Sequence, residues 1–364
     1  MLKQQKIFFD FLRFCIGSAK EIPDSLKEAD WKEIYAIAKK QALLGVLFHS
    51  IKRLPKELAP EHKLLMQWMV MAEMIRKQNI RLFQDSVKVC QNFENEGLAN
   101  CILKGQGNAL LYPDPYMRTP GDIDIYLSGG RKKIMKYVDR VCPNQVMRYH
   151  HVDFPVMKTA IEVHFTPSYM FCPIHNRRMQ KWFEEVMGEQ CNHRVSLPDG
   201  YGEIHVPQVS FNVIYILSHL YRHIFTEGIG LRQLLDYYYV LSMLSVNSEM
   251  LTSLQKELKH LGLWKFAQTV MFVLKEVFGL SEDRMIVPMD EREGCFLLDE
   301  IMRGGNFGQY DDRMGSKVGE SKIHRYFRMN LRNLRFVKHY PTEALSEPLF
   351  RTWFAVWKKI HGIK

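Results

Sequence analysis

The run Asp122-Ile123-Asp124-Ile125-Tyr126-Leu127 alternates polar and apolar positions, with Gly121 before it and Gly129-Gly130 after it. Side chains two apart on a strand share a face, so this spacing predicts a strand with both carboxylates pointing the same way at its start. Two like charges held so close repel each other, and a divalent cation removes that penalty. Hard cations such as magnesium take oxygen ligands and favour sites that also hold phosphates. Turn chemistry or a solvated strand edge accounts for the same pattern, so the flanking sequence has to decide. Upstream, the apolar run Cys101-Ile102-Leu103 leads into the Gly-rich turn Lys104-Gly105-Gln106-Gly107-Asn108. Downstream, Ala160-Ile161-Glu162-Val163-His164-Phe165 is a second alternating segment with a third acid. A strand, a Gly turn, a short helix, the Asp-x-Asp strand and a later acidic strand predict a nucleotide site with Asp122, Asp124 and Glu162 converging.

Around this module the chain is patterned for helices. An amphipathic helix is expected over the first 16 residues, with Ile7, Phe8, Phe11, Leu12 and Cys15 on one face. Helical spacing runs from Trp31 to Phe48, and a long helix from Glu61 to Glu94, where Met66, Met69, Met71 and Met74 read as core filling. A helix is expected over Arg131–Val141, extended segments over Val146–Val156 and Ala160–Phe165, and a short helix over Gln180–Met187. Short extended pieces follow at Val195–Pro198 and Ile204–Pro207, then helices from Gln208 onward. The fold class expected is α+β, with a small sheet between helical regions. The divisions are residues 1–97 (helical), 98–207 (the sheet-bearing core) and 208–364 (helical with a basic tail).

No run of 18 or more apolar residues occurs, so no membrane span is expected. Seven cysteines are dispersed without a Cys-x-x-Cys pair, which reads as reduced thiols and a cytoplasmic address. The formal charge is +10. From Lys317 to Lys364 there are 11 Lys or Arg against Glu320, Glu343 and Glu347, so that tail supplies +8 of it. An acidic partner would meet this end. Arg325, Arg328, Arg332 and Arg335 recur at helical spacing, opposite Ile323, Phe327, Leu331, Leu334 and Val337. They read either as a phosphate- or RNA-facing stripe that binds the acceptor or as a solvated helix face.

The ordered set of motifs resembles the nucleotidyltransferase superfamily with the polymerase-beta-like minimal fold. More narrowly it resembles the uncharacterised bacterial nucleotidyltransferases, on Lys104-Gly105, Leu111-Tyr112-Pro113, Arg118, Gly121-Asp122-Ile123-Asp124 and Glu162-Val163-His164. The helix bearing His219 and His223, Leu231-Arg232 with Asp236, and Gly305-Asn306-Phe307-Gly308 extend the likeness. The resemblance implies a small mixed sheet and transfer of a nucleoside monophosphate from an NTP to a hydroxyl acceptor in protein, RNA or a small molecule. It implies two magnesium ions on Asp122, Asp124 and Glu162. Lys104, Gly105, Gly107, Arg118 and Gly121 would then meet the nucleotide, through backbone approach at the glycines and charge at Lys104 and Arg118. The family's second small residue is absent: Gln106 follows Gly105, and Asn108 follows Gly107. A catalytically silent nucleotide- or RNA-binding protein on the same fold, and a pure interaction scaffold, are the other readings. His219 and His223 lie at i and i+4 without a His-Glu-x-x-His motif and read as packed or hydrogen-bonded to Asp236 or Glu227. Arg232 and Asp236 read as a helix ion pair. By spacing alone, His150, His151 and His164 define no ligand set.

Overall fold

The computed structural model describes residues 2–245, 247–314 and 321–363. Four helices lead in. The first, α1 (Lys3–Ile16), buries Ile7, Phe8, Phe11, Leu12 and Cys15 together, as its apolar spacing requires. Next, α2 (Trp31–Lys40) begins where the Asp30 side chain accepts hydrogen bonds from the Lys32 and Glu33 amides. The helical pattern expected to run from Trp31 to Phe48 is broken at Ala42, whose φ of 57° is left-handed, and resumes as α3 (Leu44–Ile51). The long α4 (His62–Asn95) follows. Its methionines are not core filling as a group: Met66, Met69 and Met74 are exposed, and only Met71 packs against the core.

The sheet is built from β1 (Asn100–Ile102), β2 (Ile123–Leu127), β3 (His151–Asp153) and β4 (Ile161–His164), in spatial order β1-β2-β4-β3. The central pair β2–β4 is parallel and both outer pairings are antiparallel, so the sheet is small and mixed as expected. Between the strands lie α5 (Gln106–Ala109) and α6 (Gly130–Val141). Ile123, Ile125 and Leu127 point into one apolar layer with Ile102, Val152 and Val163, which seats the sheet on α6 and the C-terminal half of α4.

Then comes α7 (Pro173–Gln190), longer than the segment expected at Gln180–Met187. Pro173 starts it rather than breaking the chain, because the first helical turn needs no amide donor there. The hairpin of β5 (Arg194–Ser196) and β6 (Glu203–His205) follows. The C-terminal part holds α8 (Val209–Thr226), α9 (Leu231–Met243), α10 (Ser248–His260), α11 (Trp264–Phe278), α12 (Glu291–Gly304), α13 (Lys322–Val337) and α14 (Pro341–Ile360). A second, larger core joins these helices to the N-terminal ones, running from Ile7 on α1 to Ala344 on α14. No helix among the described residues is long and apolar enough to cross a membrane.

The arginine stripe of α13 is oriented against expectation. Arg335 ion-pairs with Glu300 at 3.1 Å and with Asp311 at 2.9 Å, and Arg332 is buried over the Phe336 ring. Acids on α12 and the loop after it supply countercharge, so this face turns inward. Phe327, Leu331 and Leu334 are instead 60%, 67% and 62% exposed. Arg332 and Arg335 are therefore not part of an acceptor-facing stripe. Arg325 is exposed and Arg328 half-buried, while the Ile323 side chain lies outside the described residues.

Candidate active site

The parallel register sets Asp124 directly beside Glu162, and Asp122 lies just before the start of the same strand. All three acids line one cavity of about 780 Å³. Asp124 is fully buried, and one of its oxygens lies within 4.8 Å of ligand atoms of both Glu162 and His164. The antiparallel register places His151 opposite His164 and Asp153 opposite Glu162. His164 Nε2 is 3.0 Å from Asp124 Oδ1 and 3.6 Å from Glu162 Oε2, and His151 Nδ1 is 3.3 Å from the same Glu162 oxygen.

Lys104, at the end of the β1 segment, reaches Asp124 Oδ2 at 3.1 Å and His219 Nε2 at 3.1 Å. Its ammonium thus bridges the acidic strand to α8. On α8, Arg222 lies 2.9 Å from His223 Nε2, and His223 Nδ1 is 3.5 Å from Glu227. His223 has the Glu227 partner expected for the pair, whereas His219 faces Lys104 and not Asp236. Burial pushes the His223 imidazole down to about 4, and burial together with Lys104 pushes His219 well below the ordinary range.

Arg118 forms a bidentate ion pair with Asp236 at 2.8 and 2.7 Å, and Tyr112 donates to the same carboxylate at 2.7 Å. Arg118 lines the cavity, but its charge is already matched, so it anchors the loop before Gly121-Asp122 to α9. Asp236 is therefore taken by Arg118 and not by its helical neighbour Arg232, which donates to the Thr119 carbonyl at 3.4 Å. Gly105 and Gly121 line the cavity. The Gly105 φ of 69° explains glycine there. Gly107 is turned away, and a Cβ on it would lie 2.8 Å from Val206 Cγ1. Its smallness lets α5 pack on the β5–β6 hairpin, which corrects its expected place beside the nucleotide. With only four residues, α5 also offers little dipole for a phosphate.

Electrostatics separates the three acids. Asp124 next door and burial push the Asp122 carboxyl up to about 6, with Lys104 opposing. Burial would raise Asp124 as well, but Lys104 and His164 outweigh it and hold Asp124 well below the usual carboxylate range. Burial likewise works against ionised Glu162, and its contact with His164 overcomes this. Burial opposes a charged His164, while Asp124 and Glu162 together hold its proton on more tightly than usual.

Over residues 27–279 the sequence matches the model of a family described as uncharacterised nucleotidyltransferase. The chain belongs to this nucleotidyltransferase family. No curated protein and no solved structure matches it. The acids and most of the cavity fall inside the matched segment, whereas α13 and α14 lie beyond it. Those two helices nonetheless close one side of this nucleotidyltransferase's cavity with Arg325, Phe350, Arg351, Phe354 and Lys358. None of the last four stood out in the sequence, since α14 carries no motif.

Oxygen donors on Asp122 and Asp124, with one acid pushed toward neutrality by the other, fit a hard divalent cation. Stability carries the same signature. Between an unfolded value of 3.8 and a folded value of about 6, the native state holds the Asp122 proton more tightly than the unfolded chain does. This group's contribution therefore falls as pH rises from about 4 to about 6. Asp122→Asn is expected to raise the melting temperature at pH 7 without divalent cations, on the order of 2 °C. It should also abolish any stabilisation by magnesium, and differential scanning fluorimetry with and without the ion checks both.

Proposed function

We propose that the chain transfers a nucleoside monophosphate from an NTP to a hydroxyl acceptor, with divalent cations held by Asp122, Asp124 and Glu162. One observation carries this reading. The three acids open into a cavity whose other walls hold Lys104, Arg222, Arg232, Arg325, Arg351 and Lys358. Acids suited to cations thus face cations suited to phosphates. The cavity, about 780 Å³, falls within the usual range for a small-molecule site.

In the reaction, the acceptor oxygen forms a bond to the α-phosphorus as the bond to the pyrophosphate oxygen breaks, and the acceptor proton leaves to base. Asp122, Asp124 and Glu162 would hold the divalent cations, which would supply charge neutralisation on the phosphates and a lowered pKa at the acceptor hydroxyl. Ionised Asp124 and Glu162 keep that end of the site anionic at neutral pH. Arg118, locked by Asp236, holds the loop that presents Asp122. Tyr149, Phe350 and Phe354 give the mouth flat apolar surfaces on which a base can stack. The acceptor classes that suit a basic, aromatic mouth are an RNA end, a protein side chain or a small hydroxyl compound.

Calorimetric titration of each NTP in the presence of magnesium tests binding, and α-labelled NTP with RNA and protein acceptors tests transfer. Expected results are magnesium-dependent binding and label incorporation with pyrophosphate release, both lost in Glu162→Gln. Magnesium-dependent binding without incorporation would favour the catalytically silent reading. The observation on that side is the Gly turn, where Gln106 replaces the usual small residue and Gly107 packs on Val206. Absence of NTP binding would end both readings.

A further inference from the structure

Beside the acids, three imidazoles are gathered from two strands. His150 Nε2 lies 3.2 Å from His151 Nδ1, and the three ring centroids of His150, His151 and His164 are 4.4, 5.1 and 5.2 Å apart. One ligand atom from each of the three falls within 4.8 Å of the others, and all three residues are buried. Glu162 Oε2 borders two of the rings, at 3.3 Å from His151 Nδ1 and 3.6 Å from His164 Nε2.

Hydrogen bonding alone does not account for this cluster. His150 Nδ1, His151 Nε2 and His164 Nδ1 are buried and have no hydrogen-bond partner among the described residues. Buried polar atoms are seldom left so, and three in one cluster call for a reason. A metal ion taking one nitrogen from each ring supplies one, since three imidazoles with an open fourth position are a common zinc donor set. His151 Nδ1 and His164 Nε2 face Glu162, the kind of carboxylate contact that orients a metal-bound imidazole through its second nitrogen. Magnesium prefers an all-oxygen octahedron, whereas three imidazoles select zinc and its neighbours among the transition metals.

We propose that His150, His151 and His164, each through one ring nitrogen, form a three-imidazole zinc site with an open fourth position, next to the oxygen-only position offered by Asp122, Asp124 and Glu162. Its existence does not depend on nucleotidyl transfer. Asp124 Oδ1, 3.0 Å from His164 Nε2, lies between the two positions, so the two ions would be of different classes in adjoining places. Register explains why the donors meet. His151 faces His164 across the antiparallel pair, and Glu162 and His164 share a face of β4.

Cobalt is the probe, added to the full-length chain without a histidine tag after removal of metals by chelator. One equivalent of cobalt should give the intense visible bands of tetrahedral coordination. A large excess of magnesium should leave them unchanged, and one equivalent of zinc should bleach them. His151→Gln and, separately, His150→Gln should weaken cobalt binding by at least about tenfold, while Asp122→Asn should keep the bands. Two variants are used so that a folding failure in one leaves the other informative. Weak octahedral bands, competition by magnesium, or unchanged binding in both histidine variants would overturn the proposal. Label transfer from NTP with magnesium is measured on the same zinc-free chain. Transfer without the cobalt bands would sink the zinc site and leave the nucleotidyl reading standing, and cobalt bands without transfer would do the reverse.

Discussion

Asp124→Asn is expected to lower transfer from an α-labelled NTP by about a thousandfold or more, since losing a metal-held charge in such a transition state is worth several kcal/mol. The amide keeps the shape of the carboxylate but cannot balance both Lys104, 3.1 Å from one oxygen, and His164, 3.0 Å from the other. Circular dichroism should show the fold intact, because the strand's apolar partners Ile123 and Ile125 are unaltered. Initial rates with saturating NTP and magnesium measure the effect. A rate within tenfold of the parent would remove Asp124 from the proposed chemistry.

The largest effect on stability is expected away from the acids. Asp236→Leu leaves the Arg118 guanidinium buried with neither of its charged hydrogen bonds and also strips the Tyr112 hydroxyl of its acceptor. Removing one partner of a buried pair costs about 3–5 kcal/mol, because the other charge stays out of water uncompensated. Urea unfolding should report a loss of that order. The double variant Arg118→Met/Asp236→Leu should recover most of it, since no lone charge remains. If the single variant loses less than about 1 kcal/mol, Arg118 has found water or another acceptor, and its role as the anchor of the Asp122 loop fails.

These two cases mark what the sequence discloses and what it hides. The acids were legible because strand parity is local: Asp122 and Asp124 lie two apart, and Glu162 has its own alternating strand. The strands and most helices were legible for the same reason, whereas the mixed pairing of the sheet was implied only by the family resemblance. The Arg118–Asp236 pair was not, since 118 residues separate its members and nearby Arg232 offered an equally plausible partner. The imidazole cluster escaped because it depends on the β3–β4 register, although Glu162 and His164 two apart carried half of the signal. The orientation of α13 was hidden for a different reason. Its periodicity separates an arginine face from an apolar one, but only Glu300 and Asp311, on other elements, decide which face turns inward.

The wall formed by α13 and α14 has an evolutionary consequence. The three acids lie within residues 27–279, the segment held in common with the family, whereas Arg325, Phe350, Arg351, Phe354 and Lys358 are encoded downstream of it. Mutation or exchange of the terminal segment therefore reshapes the entrance without disturbing the strand that bears Asp122 and Asp124. Selection on what enters can proceed independently of selection on the acids, and one shared acidic strand can be fitted with many different doorways.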